Sequence, residues 1–294
     1  MHLPTLRQLQ FLVAIAKEGS FSRAAEASHV TQPTLSAGIK ELEGLLDVQL
    51  IEREARGASL TRAGEAAAER ARTILSETQE LVAVARGAGA PLSGPFRLGA
   101  IPTIAPFVLP KILPVLRTGF PDLKLFLRED TTDRLLDALR SRTLDAALIA
   151  LPWDAPGIQT EPIADDEFLL VSPADHPLAK KARLSPDDLH GEDVLLLADG
   201  HCLRDHALSV CALPTVRKGT EVSATSLQTL VHMVAGGLGV SLLPKVAADA
   251  GVASGINVAV RAFTKPIVGR SIGLAWRSGS SRNDEVQLIS AAVK

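Results

Sequence analysis

Two cysteines, Cys202 and Cys211, are the residues of this 294-residue chain whose types and spacing best suit chemistry. Cys202 follows Asp199 and Gly200, a turn signal, so the sequence predicts that it lies at the start of a helix. Unpaired backbone amides and the helix dipole favour a thiolate there, and His201 is adjacent. A thiolate is the form that peroxide attacks, giving a sulfenic acid that a second thiol can condense with.

Zinc binding is the alternative chemistry for this segment, because His201, Cys202, His206 and Cys211 are four possible ligands. The two histidines stand five positions apart, however, and not at the three or four that place ligands on one helix face. A lone cysteine is also commonly a small buried apolar residue. We disfavour a metal site and expect no cofactor.

The length of the chain predicts two or more domains. A composition of 46% hydrophobic and 22% charged residues is that of a globular protein, and no apolar run approaches the roughly 18 residues needed to cross a bilayer. The opening MHLPTLRQLQ lacks the pattern of a signal peptide, so we expect a cytoplasmic protein whose cysteines are thiols at rest. The net charge is −2, and residues 1–60 hold six basic against seven acidic side chains, so nucleic-acid binding must be argued from a motif.

Three helices are predicted at the start of the chain. Apolar spacing marks the first, Leu6 to Lys17; the second runs from Ser22 as its N-cap to near His29. Thr31 can cap the third, Gln32 to Leu46. The third helix has one apolar face, made of Leu35, Ile39, Leu42 and Leu46. Two short helices joined by a tight turn form a helix-turn-helix pattern.

The stretch QLIEREARGASLT predicts a two-stranded wing that turns at Gly57. A long helix is predicted from Thr61 to about Arg86. It carries an apolar seam that steps by four and three alternately, at Ala67, Ala71, Ile74, Thr78, Leu81 and Ala85. Such a seam favours pairing with a second copy, although the helix could instead lie on its own domain.

Strands and helices alternate after GAGAPLSGP, residues 87–95, whose composition is that of a flexible linker. The order FRLGAI, PTIAPFVLPKILPVLRTGF, LKLFLRE, TTDRLLDALRSR, LDAALIAL is βαβαβ and predicts a doubly wound α/β unit. A second α/β unit is predicted from Phe168, with helices at Leu203 to Ser209 and Ser226 to Gly236 and a strand in GVSLLP. GRSIGLAWR would be a late strand returning to the first unit.

Thr103 and Thr132 are each predicted to begin a helix that follows a strand, at the carboxyl ends where α/β sheets bind ligands. Cys202 follows a strand of the other unit in the same way, so all three could face one crevice. The threonines could equally serve as helix caps, and the two roles are compatible.

Residues 6–53, from LRQLQFLVAIAKEGS through TQPTLS and IKELE to QLIER, resemble the helix-turn-helix of the LysR-type transcription regulators. LADGHCLRDHALSVC resembles the redox segment of the OxyR group within that family, and IPTIAPFVLP, ATSLQTLVHMVAGGLGVSLLP and GRSIGLAWR are similar to it too. The resemblance covers essentially the whole chain.

This resemblance implies an α+β multidomain fold. A winged helix-turn-helix DNA-binding domain would occupy residues 1–60, a linker and dimerisation helix 61–86, and a two-lobed regulatory domain like a periplasmic binding protein 96–294. Lobe I would span about 96–163 and 268–294, and lobe II about 164–267. The assembly implied is a homotetramer, a dimer of dimers.

The resemblance also assigns the DNA contacts. A recognition helix reads the major groove with its first residues, which makes Gln32, Thr34 and Ser36 candidates for base contacts. Lys40 and Arg53 suit phosphate or minor-groove contacts. Thr31 belongs to the same stretch, although we favour a capping role for it.

In the redox segment the resemblance implies that Cys202 is the peroxidatic cysteine and Cys211 the resolving one. Thr103, Thr132, His201 and Arg270 would surround Cys202 and orient hydrogen peroxide by hydrogen bonds. If residues 203–210 are helical, nine steps of about 1.5 Å place the cysteines roughly 13 Å apart. A disulfide needs Cα atoms within about 7 Å, so oxidation would unwind the segment and change the shape of the domain.

The expected function is therefore a hydrogen-peroxide-sensing transcription regulator, and not an enzyme. Its partners would be a double-stranded DNA operator, hydrogen peroxide, RNA polymerase and the cellular thiol reductants that reset it, with no membrane. Two alternatives remain. One is a LysR-type regulator with a small organic effector and inert cysteines; the other is a thiol peroxidase, against which stand the DNA-binding motif and the lack of a thioredoxin-like CxxC.

Overall fold

The structure, a computed structural model, describes residues 3–54, 57–85, 91–198, 203, 224–264 and 269–294. The chain forms two compact units, Met1–Gly89 with Ser141–Thr143, and Ala90–Arg140 with Leu144–Lys294. Across the described ranges, no helix combines the length and apolarity that crossing a membrane requires.

The first unit opens with the three predicted helices, α1 (Leu6–Glu18), α2 (Phe21–Ala27) and α3 (Gln32–Leu46). Gly19 ends α1 in the left-handed conformation, with φ 61°. Because that turn is so tight, α2 begins directly after it with Ser20 at the N-cap, so the prediction that Ser22 caps this helix is wrong. Ser22 lies in the first turn of α2 instead.

The core of this unit lies between α1 and α3, which cross closely at Gly38. A Cβ at this position would lie 2.8 Å from the Phe11 ring, so only glycine lets the two helices approach so far. The buried apolar side chains include Leu12, Ile15, Leu35, Ile39 and Leu42. Leu46 was predicted on the same face but is 42% exposed, because α3 ends at this residue.

The wing consists of the antiparallel strands β1 (Ile51–Glu54) and β2 (Gly57–Leu60). Gly57 pairs with Glu54 and is the first residue of β2, so the prediction that the chain turns at Gly57 itself is wrong. The Glu43 carboxylate of α3 accepts the backbone N–H groups of Leu50 and Ile51, at 2.8 and 3.1 Å, and thereby fixes the wing to the recognition helix.

The long helix α4 (Arg62–Ala85) follows the wing. The early positions of its predicted seam face its own unit: Ala71 is buried, and Ala67 packs against the core of α1 to α3. The later apolar side chains behave differently, since Ile74, Leu81 and Val82 are exposed. One end of α4 therefore lies on its own domain, and its other end carries an apolar face without cover within the described residues. Pairing with a second copy stays a prediction.

The second unit begins with the predicted βαβαβ order, which the structure confirms. The parallel strands β3 (Gly94–Ala100), β4 (Leu123–Glu129) and β5 (Ala146–Leu151) are connected by α5 (Ala105–Gly119) and α6 (Thr132–Arg140), and they lie in the order β4-β3-β5. Gly94 and Pro95 belong to β3, and Leu92 is buried, so the last residues of the segment predicted as a linker are part of the regulatory unit's sheet and core. The late strand β10 (Gly269–Arg277) returns to pair antiparallel with β5, as predicted.

One long strand, β6 (Ile158–Pro173), connects the two lobes. Its first part pairs with β10, and its last part, residues 168–173, pairs with β8 (Val240–Pro244) and β9 (Val258–Ala262). The strand therefore starts ten residues before Phe168, where the second α/β unit was predicted to begin, and it passes through the boundary predicted near residue 163.

Two apolar cores flank this strand and make the unit two-lobed. Lobe I surrounds β3, β5 and β10, and the last helix, α9 (Asn283–Val293), packs against it. Lobe II surrounds the end of β6 and β8. Its remaining elements are β7 (Val194–Leu195), α7 (Leu227–Ala235), α8 (Lys245–Asp249) and the 3₁₀ helices Pro177–Lys180 and Pro186–Leu189.

The residues on either side of the segment that holds both cysteines, Leu197 and Ala224, pair with each other in lobe II. Leu197 forms a parallel bridge with Ala224, and the Ala198 N–H donates to the Ala224 carbonyl at 2.9 Å. The predicted helix Leu203 to Ser209 lies outside the described residues apart from Leu203, which is helical and buried in the lobe II core.

Candidate functional sites

A buried arginine joins three elements of the second unit. Arg270 on β10 stands directly opposite Asp166 on β6, and both side chains are almost fully buried. The Arg270 Nε donates to Asp166 Oδ2 at 3.0 Å. Nη1 donates to Thr103 Oγ1 at 2.8 Å and Nη2 to the Thr103 carbonyl at 3.0 Å. The guanidinium therefore holds the turn that precedes α5.

Thr103 does not cap α5. Ile104 occupies the N-cap, and Thr103 lies in the turn before it, so the capping interpretation is wrong for this residue. Its hydroxyl oxygen instead accepts a hydrogen bond from Arg270. Since that oxygen accepts from Nη1, the hydroxyl proton must point away from the guanidinium.

Thr132 is the first residue of α6 and is 2% exposed. Its hydroxyl has no hydrogen-bond partner among the described residues, so a capping role does not account for it. Thr103 and Thr132 follow the paired ends of the adjacent parallel strands β3 and β4, where Ala100 stands beside Glu129. The two buried hydroxyls thus lie just beyond the carboxyl ends of two parallel strands, which is where α/β proteins bind ligands.

The other members of the predicted site, His201, Cys202 and Cys211, lie outside the described residues, as does His206 of the zinc alternative. Among the predicted peroxide-binding residues, the structure brings Arg270 and Thr103 into contact and places Thr132 beyond the next strand. The described ranges contain no group of three or more histidine, cysteine or acidic side chains that could hold a metal ion.

The other candidate site is the first turn of α3. Thr31 is its N-cap, and its hydroxyl accepts the Thr34 N–H at 3.4 Å, which confirms the capping role. The two threonine hydroxyls also lie 2.8 Å apart. Gln32 accepts a hydrogen bond from Ser22 of α2 through Oε1 at 3.1 Å, so the first helix of the motif steadies a predicted reading residue of the second.

The predicted DNA-contacting residues differ in their exposure. Gln32, Thr34 and Lys40 are exposed, and Ser36 is half-buried. Arg53 lies in β1 opposite Ala58, and its side chain is outside the described part of the structure. The first turn of α3 therefore presents a polar surface, with Lys40 two turns further along the helix.

Both units match known protein families. Residues 6–65 match the bacterial regulatory helix-turn-helix protein of the lysR family, and residues 89–294 match the LysR substrate binding domain. A protein of Dickeya chrysanthemi named hydrogen peroxide-inducible genes activator is 40% identical over 98% of this chain and 94% of its own length. The chain belongs to the OxyR group of the LysR family.

Solved structures of the OxyR group agree with this assignment. A full-length OxyR cysteine variant from Pseudomonas aeruginosa has 38% identity and a TM-score of 0.83, with 100% of this chain and 95% of that one covered. A Corynebacterium glutamicum OxyR cysteine variant with H2O2 bound has 37% identity and a TM-score of 0.66, with 100% and 94% covered. The E. coli K12 DNA-binding transcriptional dual regulator OxyR is 39% identical over 98% of this chain and 94% of its own length. The predicted fold, a winged helix-turn-helix and a two-lobed periplasmic-binding-protein-like domain, is confirmed.

Sequence reasoning missed two residues that support the sites of this LysR-family chain, Asp166 and Ser22. Asp166 stands in an acidic run, ADDE, directly before the apolar FLLV of β6, and an acidic residue that enters a buried strand is a signal for a buried counter-charge. Its partner could not be identified, because the register between β6 and β10 joins residues 104 positions apart.

Proposed function

We propose that this LysR-family protein is a transcription regulator that senses hydrogen peroxide through Cys202 and Cys211. The observation that carries the proposal is the buried polar group beyond the ends of β3 and β4. In this group Arg270 donates to Thr103, and the Thr132 hydroxyl has no partner among the described residues. Buried hydroxyls and a guanidinium can orient a small polar molecule, and the name of the Dickeya chrysanthemi relative refers to hydrogen peroxide.

The proposed chemistry has two steps, oxidation of Cys202 and disulfide formation with Cys211. The Cys202 thiolate attacks one peroxide oxygen, so that an S–O bond forms, the O–O bond breaks, and the leaving hydroxide takes a proton to become water. Sulfur is oxidised to a sulfenic acid and peroxide is reduced. Arg270, Thr103, Thr132 and His201 donate hydrogen bonds that orient the peroxide and stabilise the departing oxygen.

The Cys211 thiol then attacks the sulfenic sulfur. An S–S bond forms, the S–O bond breaks, and a second water leaves. We propose that the bridge forces the segment between the cysteines into a new shape and that this change alters the grip of the regulator on DNA. Cellular thiol reductants reset the sensor by thiol–disulfide exchange.

At the operator, we propose that α3 enters the major groove. Gln32, Thr34 and Ser36 would contact base edges, Thr31 would cap the helix near the phosphate backbone, and Lys40 and Arg53 would contact phosphates or the minor groove. The proposed organisation is a DNA-binding domain at residues 1–60, a dimerising helix at 61–86 and a redox-sensing domain beyond it. The assembly is a homotetramer that contacts RNA polymerase.

The deciding experiment is a footprint on operator DNA with reduced and peroxide-treated protein. We expect peroxide to change the footprint of the unaltered protein and to leave that of Cys202→Ser unchanged, because no sulfenic acid can form. Cys211→Ser should still form a sulfenic acid at Cys202, trapped by a dimedone-type probe and detected by mass spectrometry. A Cys202→Ser footprint that still responds to peroxide would favour a small organic effector and inert cysteines.

A further inference from the structure

We infer that Asp166 is a positioning residue of the proposed peroxide site, which acts on the reaction only through Arg270. The inference rests on the function proposed above and names a residue that the resemblance to the OxyR group did not assign. It concerns how the orienting groups are themselves held.

The first argument is charge. The Arg270 side chain is 0% exposed and that of Asp166 is 1% exposed, so water reaches neither. A buried guanidinium is strongly unfavourable without a counter-charge, and Asp166 is the carboxylate that contacts it among the described residues. The pair makes it possible to keep a full positive charge beside Thr103 inside an apolar domain.

The second argument is geometry. Asp166 contacts Arg270 only at Nε, while its other oxygen, Oδ1, accepts the backbone N–H of Val246 in α8 at 3.0 Å. The carboxylate is thereby divided between two donors on two different elements. It cannot turn to take a terminal nitrogen of the guanidinium without releasing Val246, so both terminal nitrogens stay directed at Thr103.

The third argument is the number of Arg270 N–H groups that remain to donate hydrogen bonds to peroxide. A guanidinium has five N–H groups, and three of those on Arg270 have partners within the described part of the chain. One N–H on each terminal nitrogen is left to meet an oxygen of peroxide, together with the outward-pointing proton of Thr103. Asp166 itself touches none of these positions.

The backbone also fixes this pair. Arg270 and Asp166 are directly opposed in the antiparallel ladder of β10 and β6. At the neighbouring position, a Cβ on Gly269 would lie 2.8 Å from the Asp166 carbonyl oxygen, so the strands approach more closely than any other residue would allow. The two charged side chains therefore leave adjacent strands at a set separation.

The test compares full-length reduced variants by the second-order rate constant of Cys202 oxidation by hydrogen peroxide. We expect Asp166→Asn and Arg270→Gln each to slow the reaction about tenfold or more, as removal of an oriented donor does. If Asp166 acts only through Arg270, the double variant is no slower than Arg270→Gln alone. Asp166→Glu, which keeps the charge, should restore part of the rate that Asp166→Asn loses.

Asp145→Asn is the matched control. The Asp145 carboxylate likewise accepts one backbone N–H, from Arg97 at 2.6 Å, and one guanidinium N–H, from Arg282 at 3.0 Å, but it is remote from Thr103 in the fold. We expect its rate to stay within about twofold of the unaltered protein. If Asp166→Asn does not fold, the comparison of Asp166→Glu with the unaltered protein decides.

Two outcomes would overturn the inference: a folded Asp166 variant that reacts at the unaltered rate, or a double variant whose loss is the product of the two single losses. Failure of the proposed function has a different signature, namely that Cys202 of the unaltered protein reacts no faster than free cysteine. The two failures are therefore distinguishable in one set of measurements.

Discussion

The two buried threonines, Thr103 and Thr132, differ in the hydrogen bonds that they make within the described residues. Thr103 is committed to Arg270 through both its hydroxyl and its carbonyl, so substitution there would disturb the turn before α5 as well as the site. Thr132 has a buried hydroxyl without a partner among the described residues, so its hydroxyl is not needed for their packing. Thr132 is therefore the position where binding and folding can be separated by mutation.

Thr132→Val should keep or raise the free energy of unfolding, because a buried hydroxyl without a partner among the described residues carries a desolvation cost that valine removes. In this variant the rate at which peroxide oxidises Cys202 should fall roughly tenfold, which corresponds to the loss of one hydrogen bond in the transition state. Stopped-flow thiol oxidation and chemical denaturation measure the two quantities. Thr131→Val, the same change one residue earlier, is the control, and equal rates for both variants would contradict the prediction.

At the scale of elements, the approach of α4 to the wing depends on one glycine. A Cβ on Gly64 would lie 2.0 Å from the Leu50 carbonyl oxygen, which already accepts the Thr61 N–H at 3.0 Å. Both contacting groups are main chain, the Leu50 carbonyl and the first turn of α4, so neither can move aside for a methyl group at position 64. The start of the long helix is therefore fixed against the strand that follows the recognition helix.

Gly64→Ala should destabilise the DNA-binding unit by about 1–3 kcal/mol, the usual cost of overpacking, and weaken operator binding as a result. Gly44→Ala in α3 is the matched control, because among the described residues no atom outside the local helix backbone lies within 4 Å of its Cβ position. That variant should gain up to about 1 kcal/mol from its higher helix propensity. Thermal unfolding of the two variants measures both effects; a Gly64→Ala protein as stable as Gly44→Ala would refute the argument.

The last helix is attached to the sheet by a titratable group. Glu161 on β6 accepts from Lys294 at 2.8 Å and from Ser290 at 3.0 Å, and these hydrogen bonds, that of Lys294 foremost, lower its pKa below the ordinary 4.5. Because the folded pKa is the lower one, the carboxylate stabilises the fold at neutral pH. That stabilisation is lost as the pH falls from about 4.5 through the folded pKa.

Glu161→Gln should therefore be less stable than the unaltered protein at pH 7, and the gap should close as the pH falls below 4.5. Denaturant unfolding at a series of pH values gives this difference directly, with Glu129→Gln, an exposed position, as control. If the two proteins differ in their free energy of unfolding by the same amount at pH 7 and at pH 3.5, Glu161 contributes through packing and not through its charge.

The elements also show how far sequence reasoning reaches in this LysR-family chain. Local patterns predicted the helix-turn-helix, the wing and the βαβαβ order, because helix periodicity, caps and turn residues are short-range signals. The extent of β6 was not predictable, since a strand that serves two lobes changes partners without any mark in its own sequence. Thr103 and Arg270 were both predicted as site residues, but their contact was not predictable because it depends on pairing between distant strands.

At the scale of the whole molecule, α4 presents apolar side chains that the described residues leave uncovered. Ile74, Leu81 and Val82 are 46%, 66% and 43% exposed, on the half of the helix beyond the part that packs on α1. Exposed apolar side chains at helical spacing are typical of a surface that pairs with another chain. This is the part of the proposed assembly that a single substitution can test.

Leu81→Asp should shift the protein toward monomer and weaken binding to a two-half-site operator by tenfold or more, since about 1.4 kcal/mol lost at the pairing surface already gives that factor. Size-exclusion chromatography with light scattering measures the assembly, and gel shift the affinity. Ser76→Asp introduces the same charge about 140° around the helix and should change neither. Two variants with the same oligomeric state would exclude α4 as the pairing element.

The bridge between Leu197 and Ala224 has a consequence for how such a sensor can diversify. Leu197 and Ala224 flank the cysteine-bearing stretch and are paired with each other, and Leu203 within the stretch is buried in the lobe II core. A relative's stretch that keeps an apolar residue at position 203 can therefore replace this one while the surrounding sheet keeps its geometry. Under the proposed function, sensitivity to oxidant and choice of target genes would then be encoded in separable parts of one gene. A chimaera that carries a relative's stretch in this scaffold would answer to the donor's threshold and still address the recipient's promoters.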